Sequence, residues 1–448
     1  MAVTAVIGAP AGAINYTFTT DTSADWSSVA NSTYFYDKAD KLVHFKNSSG
    51  TVLEIFAAGG SASGVWGISN SSGVYTYYTT LTLAMAAATS GQVIEMFADV
   101  TETGAVSITL KTGVNINGNG HTYYHTNSTA VNTLLVADSI NTDATILNLN
   151  VVKSSSTGAC IYLGTNGTGQ LVFTGSKLIN LGTGFCVNQS ANADYEIIGL
   201  YAKSNTNTAI SVNGPEAKLT NCTAYSTSGT GILVAGINAQ ISNCTARSNS
   251  GYGMYINAGR ITDCVGVSAS QIGILVLGGS MNNCKGFSSG NAGITAYYCN
   301  IYSCYGFSSA SVGLQMILTP TIAIDCIGVS SASYGIQSSD SLVKTLLDCT
   351  AISSAAAALF LYGEAINCSI ICTWNNAAGH GILLNNVATI TNCTIKTTNA
   401  SANSINAASA IIAKYANNSY IGATTPINAN VTQGLINTQD NQGNILIS

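Results

Sequence analysis

Seven cysteines recur at nearly constant spacing through the middle of the chain and constrain its fold more than any other feature. Successive cysteines lie 20 to 23 residues apart, at Cys222, Cys244, Cys264, Cys284, Cys304, Cys326 and Cys349. An apolar residue stands three positions before each of them, Ala or Gly two positions after, and Ser four positions after. Agreement at so many positions identifies a sequence repeat with a period near 21 residues.

The repeat consists of short apolar stretches separated by small polar residues. It lacks the runs of about ten residues at helical spacing that a helical repeat needs, and it lacks the leucine frame of leucine-rich repeats. These properties predict an all-β parallel solenoid, in which each turn lays short strands on those of the turn before, about 4.8 Å away. The aliphatic residues and the cysteine ladder are then expected to face inward.

The composition restricts what such a rod could bind. Only 7% of the residues are charged and the net charge is −5, so neither nucleic acid nor a membrane is predicted as a partner. The first residues lack the basic and apolar segments of a signal peptide, and no apolar run has the length of a membrane span. We therefore expect assembly in the cytoplasm, where the thirteen cysteines stay reduced and act as small buried hydrophobic side chains. No CxxC or Cys/His cluster occurs, so no metal site and no cofactor is predicted.

The rest of the chain divides into three predicted segments. Residues 1–73 are expected to form an N-terminal attachment segment, with a β-hairpin over 34–45 and a loose linker over 57–73. The β-helix is expected over 74–402. Residues 403–448 lose the period and are expected to form a C-terminal cap or assembly tip.

An entry pattern precedes the repeats. A predicted helix over 80–91 leads into a predicted strand over 92–97. A Gly-Val-x-Ile-x-Gly-x-Gly stretch follows, formed by Gly113, Val114, Ile116, Gly118 and Gly120. This order resembles the pectin-lyase-like superfamily of right-handed parallel β-helices, and the resemblance extends over about residues 79–400. It implies a right-handed coil opened by a short capping helix. It does not imply an activity, because the superfamily includes lyases, hydrolases and inert fibres.

Carboxylates within the repeats are the candidate catalytic groups. Asp325 and Asp348 both precede a repeat cysteine and lie on adjacent predicted turns. They are therefore expected about 5 Å apart, which suits a retaining glycosidase. Glu364, near the following turn, could be a third member. The alternative is a structural role at a corner, because the same position in other repeats holds Asn or Ser. No arginine occurs over 261–448, which weakens a lyase hypothesis.

A cluster of tyrosines suggests a binding surface. Four of them fall on one predicted turn, at Tyr297, Tyr298, Tyr302 and Tyr305. Exposed tyrosines stack on sugar rings and also fill subunit contacts, and the sequence favours neither role over the other.

An apolar series suggests self-association. Three residues after successive cysteines, on the predicted outward face, the chain has Val267, Phe287, Phe307, Val329 and Ile352. Stacked on a solvent face, they would form a stripe that a monomer rarely leaves exposed. We expect a self-association surface here, unless these side chains turn inward at a corner.

The overall organisation resembles that of bacteriophage tailspikes and fibre proteins, which are homotrimeric parallel β-helices displayed on the virion. The resemblance implies a homotrimer that contacts other virion proteins through its N-terminus and binds a host glycan or receptor, or decorates the capsid or tail. The scarcity of carboxylates favours a non-enzymatic fibre over a glycan depolymerase that would use Asp325, Asp348 and Glu364. A bacterial surface adhesin is the third hypothesis, disfavoured by the missing signal peptide.

Overall fold

The structure is a computed structural model of the 448-residue chain. Before residue 64 it describes the backbone of five strands. From residue 64 to residue 433 it describes the chain apart from residues 72, 104–106, 127–130, 137–141, 155–156, 166–167, 190–193, 319–320, 340–343, 377–378 and 408.

The chain forms two compact units, residues 1–84 and residues 85–448. The five N-terminal strands of the first unit form one sheet in chain order: Val3–Ala9, Gly12–Asp21, Thr33–Asp37, Leu42–Lys46 and Val52–Ala57. Neighbouring strands are antiparallel except for the second and third, which are parallel. The hairpin predicted over 34–45 is confirmed by the pairing of the third strand with the fourth.

The expected loose linker over 57–73 contains regular structure at its end. Trp66–Ser69 pairs antiparallel with Tyr75–Tyr78, and the Trp66 side chain is fully buried. The turn between these strands is closed by the Asn70 side chain, which accepts a hydrogen bond from the backbone N–H of Val74 at 3.0 Å. The linker expectation therefore does not hold from Trp66 onward, because the Gly/Ser-rich composition concealed a β-turn.

The capping helix is shorter than the predicted 80–91. It spans Leu81–Ala87, and the Thr80 hydroxyl caps its first turn by accepting a backbone N–H at 3.2 Å. At the other end, Lys111 Nζ donates to two backbone carbonyls at 2.6 and 3.0 Å. Because a lysine satisfies these carbonyls in place of a further helical turn, the helix ends early.

The second unit is a parallel β-helix whose strands stack in three columns, one strand per column in each turn. The first column consists of Ile108–Thr109, Leu134–Val136, Ile161–Leu163, Val187–Gln189, Ile210–Val212, Ile232–Val234, Met254–Ile256, Ile274–Val276, Ile294–Tyr297, Leu314–Ile317, Ile336–Ser339, Leu359–Ile366, Ile382–Thr391 and Ile405–Ala407. The second column consists of Val93–Met96, Asn115–Asn117, Ala144–Leu147, Thr168–Thr174, Asp194–Ile198, Lys218–Thr220, Ala239–Ser242, Gly259–Thr262, Gly279–Asn282, Cys299–Tyr302, Ile322–Ile324, Lys344–Leu347, the C-terminal halves of Leu359–Ile366 and Ile382–Thr391, Ile411–Ala416 and Val431–Gln433. The third column consists of Val100–Glu102, Thr122–Thr126, Asn150–Ser154, Lys177–Asn180, Tyr201–Ser204, Thr223–Ser226, Thr245–Ser248, Val265–Ser268, Lys285–Ser288, Tyr305–Ser308, Ile327–Ser330, Thr350–Ser353, Ser369–Cys372, Thr394–Thr397 and Ser419–Ile421.

The cysteine ladder runs through the core at the start of the third column. All thirteen cysteines of the chain are free and buried. The ladder continues beyond the seven repeat cysteines to Cys368 and Cys393, and Leu200 precedes it in the same column. Cys372 is not part of the ladder, because it lies at the end of its third-column strand, in register with Ser353. The predicted strand register is therefore confirmed, and it persists where the sequence period becomes irregular.

Each ladder thiol also makes a hydrogen bond that a plain hydrocarbon could not make. Its Sγ donates to the backbone carbonyl two residues earlier, at 3.1 to 3.4 Å. Ser176 and Asn418 occupy the same column and also donate to buried carbonyls. The position therefore favours a small side chain that can satisfy a buried acceptor.

A column of buried serines ends the seven third-column strands from Thr223–Ser226 to Thr350–Ser353 and fixes the turn after each. Each Oγ donates to a backbone carbonyl of the preceding turn at 2.5 to 2.7 Å. It also accepts a backbone N–H from three residues later in its own turn, at 2.7 to 3.1 Å. Serine suits this position because its hydroxyl oxygen can act as both donor and acceptor.

The β-helix extends past the expected boundary at residue 402. Ile405–Ala407, Ile411–Ala416 and Ser419–Ile421 pair in parallel with the strands of the preceding turn. The sequence conceals this turn because Asn418 replaces the cysteine that marks the repeat. A separate cap beginning at residue 403 is therefore not what the structure shows. Residues 434–448 lie outside the described part of the chain.

Candidate functional site

Asp325 and Asp348 lie at the corner between the second and third columns, both exposed to solvent. Their φ angles are both 53°, in the left-handed region that Asn, Asp and Gly tolerate best. The corner residues of thirteen successive turns have φ between 46° and 72° and are Asn148, Gly175, Gly199, Asn221, Asn243, Asp263, Asn283, Ser303, Asp325, Asp348, Asn367, Asn392 and Asn417. The backbone conformation thus accounts for glycine or a short polar side chain at every one of these positions.

The two aspartates occupy adjacent turns, as predicted, and neither carboxylate makes a hydrogen bond or ion pair within the described part of the chain. Glu364 points outward from the second column and pairs with Thr345, three residues before Asp348. Along the strand that separation is about 10 Å. Glu364 is therefore set apart from Asp348 along the strand, whereas Asp325 and Asp348 are neighbours on adjacent turns.

The four candidate tyrosines follow one another around a single turn and do not share a face. Tyr297 and the exposed Tyr298 lie at the bend after the first column. Tyr302 ends the second-column strand, and Tyr305 begins the third-column strand. Tyr305 packs on Phe287, with ring centroids 5.7 Å apart. The turn therefore distributes these rings over three sides of the rod and provides no single platform.

The apolar stripe forms on the outward face of the third column. Its members are in register on successive turns, from Val267 through Phe287, Phe307 and Val329 to Ile352. Ile371 continues it by one turn. All six side chains are half-buried, while the residues immediately before and after each of them in its own strand point inward. The side chains thus face outward and do not turn into a corner.

A second surface, absent from the sequence predictions, lies on the outward face of the first column. Thr295, Gln315, Gln337 and Phe360 occupy the same position on successive strands. Thr295 Oγ1 donates to Gln315 Oε1 at 3.3 Å, and Gln315 Nε2 donates to Gln337 Oε1 at 3.4 Å. A ladder of side-chain amides therefore ends against a phenyl ring.

Aromatic rings continue this surface toward the C-terminus. Phe360 packs on Tyr334 and on Tyr362, with ring centroids 5.1 and 5.7 Å apart. The hydroxyl of Tyr362 accepts a hydrogen bond from the side-chain amide of the exposed Asn385. We call this surface the aromatic–amide patch; it comprises Gln315, Tyr334, Gln337, Phe360, Tyr362 and Asn385.

The sequence held a signal for this patch that the repeat pattern obscured. Gln315 and Gln337 stand at equivalent positions of two repeats, one residue after the strand's first aliphatic residue. Phe360 occupies that position in the next turn, but a register irregularity between Leu361 and Gly363 lies beside it. Alignment on the cysteines alone therefore left the aromatic residues without a common face.

No group of three or more His, Cys, Asp or Glu side chains suited to a metal ion occurs among the residues that the structure describes. Within the same residues, no helix is long and apolar enough to cross a membrane.

Comparison with known proteins defines the class of fold. Residues 112–289 match the family model of the right-handed β-helix region. Together with the three parallel strand columns, this match makes the chain a right-handed parallel β-helix protein, as the sequence predicted. The comparison with curated protein sequences gives no significant match.

Three solved structures are similar in their strand arrangement. The A-module of mannuronan C-5 epimerase AlgE6 from Azotobacter vinelandii is 14% identical, with a TM-score of 0.49 over 63% of this chain and 90% of that one. The AlgE4 A-module from the same organism is 13% identical, with a TM-score of 0.32 over 79% and 93%. The receptor-binding domain of the siphovirus 9NA tailspike is 9% identical, with a TM-score of 0.25 over 83% and 76%. At these identities the function has to be inferred from the residues of this chain.

Proposed function

We propose that the chain is a structural fibre or spike protein of a bacteriophage virion, in which a rigid β-helix attaches to a host surface or decorates the particle without cleaving what it binds. The apolar stripe is the observation that carries the proposal, because it equips the rod for assembly. The assignment to a virion is supported by the resemblance to tailspikes and fibres described above. In that arrangement the N-terminal unit contacts other virion proteins.

The stripe is suited to a second copy of the same rod. Its six rungs are separated by five rises of about 4.8 Å, which gives a length of about 24 Å. Lys285 is the only charged residue in the six strands that carry these side chains, and the residue after each strand is Ala, Ser or Thr. An identical rod has the same rise per turn, so its side chains can interdigitate along the whole stripe. We expect a homotrimer assembled through this face.

Sedimentation analysis tests the assembly. The double variant Phe287→Ser/Phe307→Ser removes the two largest rings of the stripe and is expected to sediment as a monomer, whereas the unmodified chain sediments as an oligomer. Leu233→Ser alters a half-buried outward residue of the first column and serves as the control. A chain that is monomeric before any substitution would remove the main support for a fibre.

The alternative is a glycan depolymerase, and the stacking of Asp325 on Asp348 is the observation that favours it. Bacterial capsular and cell-wall glycans would be incubated with the protein, and new reducing ends followed by mass spectrometry. We expect intact glycans with the unmodified chain and with the Asp325→Asn and Asp348→Asn variants. Cleavage that both variants abolish would replace the fibre proposal with a hydrolase acting at the corner column.

A further inference from the structure

We infer that the aromatic–amide patch is a binding site for a neutral saccharide chain that lies along the rod. This inference rests on the attachment function proposed above and assigns it to particular residues. The patch combines the two groups that sugar recognition requires: ring faces that cover the C–H face of a pyranose, and planar amides that hydrogen-bond its hydroxyl groups.

The patch has hydrogen-bonding capacity that the protein does not use. Gln337 Oε1 accepts from Gln315, but the two N–H groups of the Gln337 amide have no acceptor among the described residues. These donors lie beside the Phe360 ring, which occupies the next rung of the same column. The Tyr334 ring packs on the same Phe360 ring, and the Tyr334 hydroxyl is also without a partner in the described part of the chain. A hydroxyl-rich ligand seated on Phe360 would therefore meet free donors and acceptors beside the ring.

The rings are held in place before any ligand arrives. The buried Ser338 hydroxyl accepts the backbone N–H of Tyr362 at 2.6 Å and lies 3.2 Å from its carbonyl oxygen. The Tyr362 side chain is fixed further by its contacts with Phe360 and Asn385. Little side-chain freedom is lost on binding such a surface, which favours affinity.

Charge and spacing select the ligand. None of the six residues of the patch is charged, so an acidic polysaccharide would find no lysine or arginine there. Successive rungs rise by about 4.8 Å, which is comparable to the length of one sugar residue. Consecutive residues of an extended glycan can therefore meet Gln315, Gln337 and Phe360 in turn. A neutral chain that runs parallel to the rod axis fits this arrangement best.

Affinity electrophoresis of the full chain tests the inference. The probes are dextran, mannan, galactan and a mixed-linkage β-glucan, with alginate and hyaluronan as acidic comparators. We expect at least one neutral polysaccharide to retard the protein, and Phe360→Ala to weaken that binding about tenfold through loss of the central ring. Gln337→Ala, a surface change that leaves the rings packed, should weaken it several-fold. Tyr298→Ala, at an exposed tyrosine outside the patch, should leave it unchanged.

The outcomes separate failure of the site from failure of the attachment function. Neutral polysaccharide binding that persists in Phe360→Ala and Gln337→Ala would overturn the patch while attachment stands. Retardation by the acidic polymers alone, or by none of the probes, would overturn the neutral saccharide as ligand. Melting temperatures of the variants would show whether any loss reflects unfolding, and Gln337→Ala decides the question if Phe360→Ala does not fold. Cleavage of a bound polysaccharide would instead contradict the proposed non-enzymatic function.

Discussion

Asp348 holds a φ of 53°, and this single angle determines which side chains the corner accepts. L-residues other than Asn, Asp and Gly lose about 1–2 kcal/mol in this conformation. We expect Asp348→Ala to lower the free energy of unfolding by about 1–2 kcal/mol, and Asp348→Asn to leave it nearly unchanged. Urea denaturation followed by circular dichroism measures both. An equal loss of unfolding free energy in both variants would show that the charge of Asp348 stabilises this corner.

His380 makes the rod sensitive to acid at one defined place. Its Nδ1 accepts the backbone N–H of Asn403 at 3.1 Å, and burial lowers the pKa of His380 below its ordinary 6.5. The unfolded chain therefore takes up this proton at higher pH than the folded chain does. Because the unfolded state binds more protons in this range, the free energy of unfolding falls as the pH drops through about 6.5.

The His380→Gln variant tests this contribution. It removes the titrating group, so the loss of stability between about pH 7 and pH 5 should be smaller than in the unmodified chain. Denaturation midpoints at several pH values measure the difference. If the two proteins keep parallel pH profiles, groups other than His380 dominate the acid sensitivity.

The buried serine at the end of a repeat's third-column strand stabilises the turn that follows it. Ser308 is fully buried; its hydroxyl donates to the Asn291 carbonyl at 2.5 Å and accepts the Ser311 N–H at 2.8 Å. Ser308→Ala leaves both backbone groups without their partner, and we expect a loss of about 1–3 kcal/mol in the free energy of unfolding. Ser309→Ala, at the exposed neighbouring hydroxyl, should cost much less, as calorimetry of the two variants would show. Equal effects would mean that the buried hydrogen bonds do not stabilise the turn.

Cys372 shows what else this column tolerates. It pairs with Ser353, and its thiol donates to the Ala356 carbonyl at 3.1 Å. A thiol can therefore replace the hydroxyl as donor, although sulfur is the weaker hydrogen-bonding atom. Ser308→Cys is accordingly expected to be more stable than Ser308→Ala.

Strand register was predictable from the sequence where one inward residue type repeats, and difficult to predict elsewhere. The cysteine ladder placed the third column correctly over seven turns, because a buried column fixes the register of its neighbours. The patch around Phe360 was missed because its outward position changes from glutamine to phenylalanine between successive turns. Most of its contacts form through stacking of turns 22 to 26 residues apart in the chain, such as that between Tyr334 and Phe360.

At the scale of the whole rod, stability arises from contacts between neighbouring turns, since each turn touches only the turns before and after it. The sequence therefore predicted the architecture well and its extent poorly. The end of the β-helix was placed at residue 402, but Asn417 still takes the corner conformation with a φ of 54°. Asn418 supplies the donor that cysteine supplies elsewhere. Because asparagine here does what cysteine does in other turns, the last turn packs in the same way although the repeat pattern does not reveal it.

The thirteen buried thiols can be used to follow the unfolding of the β-helix. Burial keeps reagents away from all of them in the folded chain, and it also raises the pKa of Cys299 to about 12, so little of that thiolate exists at neutral pH. We expect the native chain not to react with iodoacetamide, and the fully denatured chain to be alkylated at every cysteine.

In a stacked rod the ends open at lower free energy than the centre. Cys393, near the C-terminal end, should therefore be labelled at a lower urea concentration than Cys284, as mass spectrometry of pulse-labelled peptides would measure. Simultaneous labelling of the two would instead indicate that the rod unfolds as one cooperative unit, with coupling between turns strong enough to suppress fraying.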